Sequence, residues 1–420
     1  MKNRNIAIIG GGPSGSTIAA LLSKRGYRVG IIHDNKNTEL FVGESLIPAI
    51  MPVIHELGIE EDIKKFSIYK PGASVWLNNK TVASIKFKQG EGKLPDYAYQ
   101  TIRKDFDNLL LKTAIKNGTK VFNTTAKLIS TSNNKVALEK KTLDFIDNYF
   151  DGQPDIIIDA TGRKRLISNL LKSKTKKGKR KDVALFAHMK NVHFDSESGN
   201  IHMHRCEKGW SWRIPLPKRT SVGIVAESSH LKTFGKTIEE QFDNFVINDK
   251  QLSPFLNSAE RITGIQKFSN YQLVTEQLFG SNWVLAGDAA GFLDPVFSSG
   301  LYLAVNYASK IVNAIDEKKS YTLLNYQNDW HREIKSWQKM IDIWYNGRLF
   351  TTYKIGQDRL STYIGRKIEP HIVKHFTRIF TGEAVNSKYS MWLLNFMCGS
   401  LQDTMKFLRM QHYDQKDLEI

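Results

Sequence analysis

The densest chemical signal in the chain is a run of small residues, Gly10-Gly11-Gly12-Pro13-Ser14-Gly15. It matches G-x-G-x-x-G, and its flanks give the pattern meaning: Ile6 to Ile9 reads as a buried strand and Thr17 to Lys24 as a helix. Each glycine has its own task. Gly10 allows the tight turn, Gly12 lets the backbone approach a pyrophosphate, and Gly15 lets helix and strand touch. The helix N-terminus beside Ser14 then offers unpaired N–H groups and a positive dipole to phosphates. An acidic residue is expected at the end of the following strand, where it would accept hydrogen bonds from ribose hydroxyls. Here His33 holds that place and Asp34 follows it. We assign the role to Asp34, with His33 as the alternative contact.

Two later segments repeat the strand-into-small-turn design. Asp155 to Asp159 runs into Ala160-Thr161-Gly162-Arg163, as though the chain returned to the nucleotide-binding sheet. Trp283 to Leu285 runs into Ala286-Gly287-Asp288-Ala289-Ala290, where Asp288 can hold a ribityl hydroxyl while a following helix N-terminus faces phosphate or a flavin ring edge. Trp210 and Trp212 fall on one face of a strand, placed either to line a pocket or simply to pack.

The elements that must position these residues follow from periodicity. Val29 to Ile32 completes a βαβ unit with the glycine turn. Ser74 to Phe87 and Asp182 to Val225 mix β-branched and aromatic residues with polar ones, as in an antiparallel sheet covered on one face. Beyond about residue 305 the spacing is helical. Trp330, Trp337 and Trp344 recur every seven residues on one helix face, as a core stripe or as the wall of an aromatic pocket.

Composition bounds the function. The chain has 420 residues, 41% hydrophobic and 24% charged, enough for two or three compact units, which excludes intrinsic disorder. Cys206 and Cys398 are far apart and outside any Cys/His cluster, so neither a disulfide framework nor a metal site is expected, and a cytoplasmic setting is. Residues 5 to 23 are uncharged, but the glycines and Pro13 interrupt any apolar helix, so no membrane span is expected. The formal charge of +18 suits an acidic partner, and Lys172 to Lys181 places seven basic side chains in ten positions, as a solvated loop or a docking patch. Nothing accompanies that charge to suggest nucleic-acid binding.

Taken together, the motifs resemble FAD-dependent monooxygenases with the hydroxybenzoate-hydroxylase-like fold, and among them the flavin-dependent halogenase branch. Five matches over about residues 1–310 carry the resemblance. They are Gly10 to Gly15; Gly43-Glu44-Ser45-Leu46 with Pro48; Arg103 with Phe106-Asp107; Asp159 to Arg163; and Gly287-Asp288-Ala289-Ala290 followed by Asp294-Pro295-Val296-Phe297-Ser298-Ser299-Gly300. A sixth, Trp210-Ser211-Trp212-Arg213-Ile214-Pro215, looks like the WxWxIP signature of the halogenases. The fold implied is α/β: a Rossmann-like FAD-binding domain formed by 1–75, 100–180 and 270–320, an inserted antiparallel-sheet substrate domain formed by 76–99 and 181–269, and a C-terminal helical cap over 321–420. The implied FAD contacts are Gly10, Gly12, Ser14, Gly15, Asp34, Glu44, Ser45, Arg103, Asp159, Gly162, Gly287, Asp288, Pro295 and Gly300.

In such enzymes reduced flavin and O2 furnish an electrophilic oxygen. If chloride or bromide intercepts it, hypohalous acid forms, and a lysine beyond the flavin orients or captures the oxidant. Lys70 stands where that lysine is expected, Ser299 and Gly300 are positioned to cradle halide or flavin through backbone N–H groups, and Trp210 and Trp212 flank the passage toward substrate. Phe297 occupies the position of the glutamate base used on free tryptophan, so the resemblance points instead to phenols or carrier-tethered aromatics. An acidic carrier protein or precursor protein, and a flavin reductase or visiting NAD(P)H, are the expected partners. Two alternatives share the fold: a flavin hydroxylase working without halide, on an aromatic ring such as a tryptophan in a precursor during quinone-cofactor maturation, and a flavin-dependent prenyl-chain reductase.

Overall fold

The computed structural model describes residues 4–34, 40–77, 82–194, 199–206, 208–269, 272–316, 320–359 and 363–401. Two sheets organise them. The first is a five-stranded sheet in the order Trp283–Leu285, Ile156–Asp159, Asn5–Ile9, Arg28–Ile32, Lys120–Phe122, with every pair parallel. Its central strands are buried on both faces, which is why they read as unbroken Ile/Val runs.

From Asn5–Ile9 the chain builds outward to one side, then returns to add Ile156–Asp159 and Trp283–Leu285 on the other. That reversal is a topological switch point, and it opens a crevice at the carboxyl ends of the strands. Register aligns the relevant ends: Ile9 pairs with both Ile32 and Asp159, and Asp159 pairs with Leu285. The turns that follow each strand therefore converge on one place.

Helix Pro13–Lys24 sits against this sheet with every residue from Ser14 to Leu22 buried. Its N-cap is Gly12, no side chain caps it, and Pro13 opens it, so its first-turn donors are left facing outward. Helices Arg103–Lys116 and Ser299–Ile315 both pack against it.

The second sheet has eight strands and is antiparallel except where Gly72–Trp76 runs parallel to Ile201–Cys206. Strand Gly72–Trp76 belongs to this sheet, so the boundary drawn after residue 75 cuts through it. At the other seam Gln266–Ser269 pairs within the second sheet, and Leu273–Thr275 pairs with Thr175–Lys177.

The C-terminal region is helical, with Leu323–Tyr345 and Tyr363–Thr381 its longest members; its residues beyond 401 lie outside those described. Trp330, Trp337 and Trp344 are all buried, and they pack on aromatic rings of the core rather than lining the main cavity. The stripe is thus core. Among the described residues no helix is long and apolar enough to cross a membrane.

Candidate active site

The converging turns and one face of the second sheet enclose a cavity of about 800 Å³. The glycine turn forms one end. Gly10 takes a positive φ of +109°, and a Cβ there would lie 2.4 Å from the carbonyl oxygen of Ala160; a Cβ on Gly15 would lie 2.0 Å from that of Gly10. Neither position admits a side chain. Gly12, by contrast, has only open space before it, on the cavity side. The Ser14 hydroxyl is buried at the same end and has no hydrogen-bond partner among the described residues. An uncapped helix N-terminus, an open Gly12 and an orphaned hydroxyl make a cradle for a pyrophosphate.

Asp34 and His33 both reach the cavity wall. Asp34 accepts from Thr125 Oγ1 at 3.1 Å, with Lys164 Nζ at 3.9 Å, and burial lowers the His33 pKa. Arg103 is held by two 2.9 Å bonds to Asp107 and donates to the carbonyl of Val42, which props the segment bearing Gly43, Glu44 and Ser45 against the wall. Asp288 also borders the cavity. Burial lifts its carboxyl to about 6, against the pull of Arg103 and Arg163.

The far end is aromatic. Trp210 and Trp212 are buried with ring centroids 5.4 Å apart, and both contribute to the wall, together with Ile201 and Phe268. Alternation along strand Gly209–Leu216 sends both indoles to this face, and Gly223 on the neighbouring strand leaves room for the Trp212 ring.

Lys70 stands one layer behind. It ends strand Ser67–Lys70, is 2% exposed, and donates to Ser45 Oγ and the Leu46 carbonyl at 2.7 Å each. Its Nζ also sits 5.3 Å from the centre of the Phe87 ring. Burial without a carboxylate among these contacts brings the amine down to about 7. A void of about 10 Å³ adjoins it, walled by Ala73, Met203, Val296 and Phe297, and Ile201 and Ser298 border both this void and the main cavity. Those two residues form a partition between Lys70 and the larger space.

Most of the residues singled out from sequence reach the cavity wall: Gly10, Gly12, Ser14, Asp34, Glu44, Ser45, Arg103, Gly162, Trp210, Trp212, Gly287, Asp288, Pro295 and Gly300. Besides Lys70, three do not. Gly15 works through helix packing, and Ser299 turns its hydroxyl to the Asp294 carbonyl at 3.1 Å. Asp159, expected as a FAD contact, instead commits its carboxylate to the Thr161 N–H and hydroxyl and the Ile167 N–H, closing its own turn. The helix expected directly after the Gly287-Asp288 turn is also displaced: Gly287–Ala289 is a single 3-10 turn, and the helix begins at Ser299.

Two pairings around this site escaped the sequence. Glu44 is paired with His188, Nε2 to Oε1 at 2.6 Å with both buried, across 144 positions of chain, and His188 lies in no motif. Asp294 and Tyr345 are joined by a 3.0 Å hydrogen bond, although no spacing links the two in sequence. Among the described residues no three His, Cys, Asp or Glu side chains are gathered to hold a metal.

Known proteins place this architecture. The chain is similar to a 1H-pyrrole-2-carbonyl-[peptidyl-carrier protein] chlorinase of Pseudomonas fluorescens, 29% identical over 393 residues that cover 83% of this chain and 85% of that one. It is also similar to the corresponding brominase of Pseudoalteromonas luteoviolacea, 28% identical over 350 residues, covering 78% and 82%. In three dimensions it superposes on a flavoprotein/dehydrogenase from Cytophaga hutchinsonii with a TM-score of 0.82 at 24% identity, covering 98% of this chain and 100% of the other. The tryptophan halogenase family profile matches residues 5–80 and 64–353. With a flavin-halogenase-like FAD-binding fold built around that cavity, the chain belongs to the tryptophan halogenase family.

Proposed function

We propose that this protein is a flavin-dependent halogenase that uses reduced FAD and O2 to halogenate an electron-rich aromatic ring presented on an acidic carrier protein. The observation that carries the reading is the buried Lys70 amine, set behind a partition of Ile201 and Ser298 from the FAD-sized cavity. The Gly10–Gly15 turn and the Ser14 hydroxyl would hold the pyrophosphate, Asp34 the ribose, and Asp288 the ribityl chain. Bound reduced FAD supplies, with O2, the two-electron oxidation of halide.

The protein's own residues then do the rest. Trp210 and Trp212 line the cavity wall, and the void behind the partition is about 10 Å³, so in this reading only a small oxidised halogen species passes to it. Lys70 receives it with an N–H donor fixed by Ser45 and Leu46, and at about 7 the amine is ready in either protonation state. The void beside Lys70 is far below the roughly 150 Å³ that a benzene-sized guest needs. A substrate ring therefore enters only when Phe297 and Phe380, which wall that void, give way.

The carrier-bound substrate is supported by the two pyrrolyl-carrier relatives and by the +18 charge with its dense run at Lys172–Lys181. Phe297 in place of a carboxylate base argues against free tryptophan. A separate flavin reductase and a cytoplasmic location complete the reading, the latter supported by two buried free cysteines.

The test is product mass after turnover with chloride or bromide. A halogen isotope doublet that follows the halide supports the proposal. A gain of one oxygen whatever the halide assigns the chain to the hydroxylase alternative, and reduced double bonds in a prenyl substrate with no oxygen consumed assign it to the reductase.

A further inference from the structure

Tyr345 closes helix Leu323–Tyr345 and sits where four parts of the chain meet. Its hydroxyl donates to Asp294 Oδ2 at 3.0 Å, and its oxygen accepts from Trp210 Nε1 at 3.1 Å. The guanidinium carbon of Arg180 lies 3.5 Å from the centre of its ring, and Arg180 is itself paired with the buried Asp182. Asp294 is fully buried at the base of the segment that supplies Pro295, Ser298 and Gly300 to the cavity wall. Its Oδ1 accepts from the Val296 N–H at 3.0 Å, and its carbonyl takes the Ser299 hydroxyl. Within that segment Ser298 has φ +56°, a left-handed conformation that a serine holds only when its surroundings impose it.

The donors all point one way: indole N–H to phenol oxygen, phenol O–H to carboxylate. We infer that Tyr345 is a positioning residue whose hydroxyl couples the indole of Trp210, on the cavity wall, to the charge state of Asp294, at the root of the Pro295–Gly300 segment. With Asp294 ionised, the carboxylate claims the phenol proton, the phenol oxygen is left to accept, and the Trp210 N–H is locked onto it. With Asp294 protonated, its own O–H competes for the phenol oxygen, and the direction of the chain is lost. The hold on the Trp210 indole is then loosened.

The groups facing Asp294 set how tightly it holds its proton. Burial and the nearby Asp182 raise the carboxyl, the Val296 N–H, Tyr345 hydroxyl and Arg180 lower it, and the balance leaves it at about 7. The inference rests on the halogenase reading only for what the wall separates. The coupling itself needs neither halide nor substrate.

The experiment uses the full chain without flavin, labelled with 15N at the indole nitrogens, and follows the Trp210 Nε1–H resonance from about pH 5.5 to 8.5, a window that brackets the Asp294 value. Trp210→Phe identifies that resonance. In the parent it is expected to shift with a single midpoint near the Asp294 value, in Asp294→Asn the titration is lost, and in Tyr345→Phe it is lost or reduced to a remnant of through-space origin. A parent resonance that ignores pH overturns the inference, as does an undiminished titration in Tyr345→Phe. If Tyr345→Phe does not fold, Asp294→Asn decides alone: its resonance must stay still. A chain that shows the coupling but never halogenates would sink the proposed function and leave this intact; the reverse result does the opposite.

Discussion

Replacing Lys70 by Met separates a chemical lysine from a structural one. Met fills nearly the same volume but removes the amine, leaving Ser45 Oγ and the Leu46 carbonyl without their donor, a cost of about 1–3 kcal/mol each that does not depend on pH. The parent carries a second cost that does. A lysine that titrates near 10.5 unfolded and near 7 folded must shed its proton to fold, which at pH 7 costs about 4 kcal/mol and at pH 9 about 2 kcal/mol. The sign follows from proton counting: between those values the unfolded chain binds the extra proton, so parental stability rises with pH. Raising pH from 7 to 9 should therefore favour the parent over Lys70→Met by about 2 kcal/mol, because all other titrations are common to both. Side-by-side urea denaturation of the two flavin-free proteins at the two pH values reads the difference. An identical pH response in both would refute a neutralised amine at this site. In the same variant halogenated product should fall by at least about a hundredfold if general acid or capture chemistry depends on the amine, while FAD uptake should fall far less, since Lys70 reaches the cavity wall only through Ser45.

Gly15→Ala should fold poorly or abolish FAD uptake, because its Cβ would meet the Gly10 carbonyl oxygen at 2.0 Å; flavin absorbance after reconstitution reads this directly. Ser14→Ala should leave the flavin-free protein as stable as the parent, its hydroxyl having no partner there, yet weaken FAD binding by about tenfold, measured by fluorescence titration. The contribution of Asp288 and Asp294 to flavin-free stability should fall as pH rises from about 4 through 7, since both hold protons in the fold that the unfolded chain has released; Asp288→Asn should remove part of that slope in thermal melts. Trp344→Ala should cost about 3–5 kcal/mol by removing a ring packed on Trp210, Phe297 and Phe350, and urea denaturation of the variant measures the loss.

The legible part of this protein is what neighbouring residues decide between themselves. The glycine turn announces itself because backbone sterics forbid a Cβ at Gly10 and Gly15, and a βαβ unit of this kind needs glycine at both places. Strands Asn5–Ile9, Ile156–Asp159 and Trp283–Leu285 announce themselves because burial on both faces demands apolar runs, and strand alternation alone put Trp210 and Trp212 on one side. Asp159 shows the limit of such reading. A carboxylate after a strand looks the same in sequence whether it meets a ligand or, as here, the N–H groups of its own turn.

What tertiary structure decided is everything that depends on distance across the chain. Lys70 stands out among 60 Lys and Arg residues by resemblance alone; only folding strips its water and places it behind Ile201 and Ser298. The Glu44–His188 pair, and the line from Trp210 through Tyr345 to Asp294, join residues 144, 135 and 51 positions apart. No local pattern encodes such pairings, because a hydrogen bond is chosen by where two sheets and a helix happen to meet, and desolvation, which brings the Lys70 amine down and lifts the Asp294 carboxyl, exists only once the chain has folded around them.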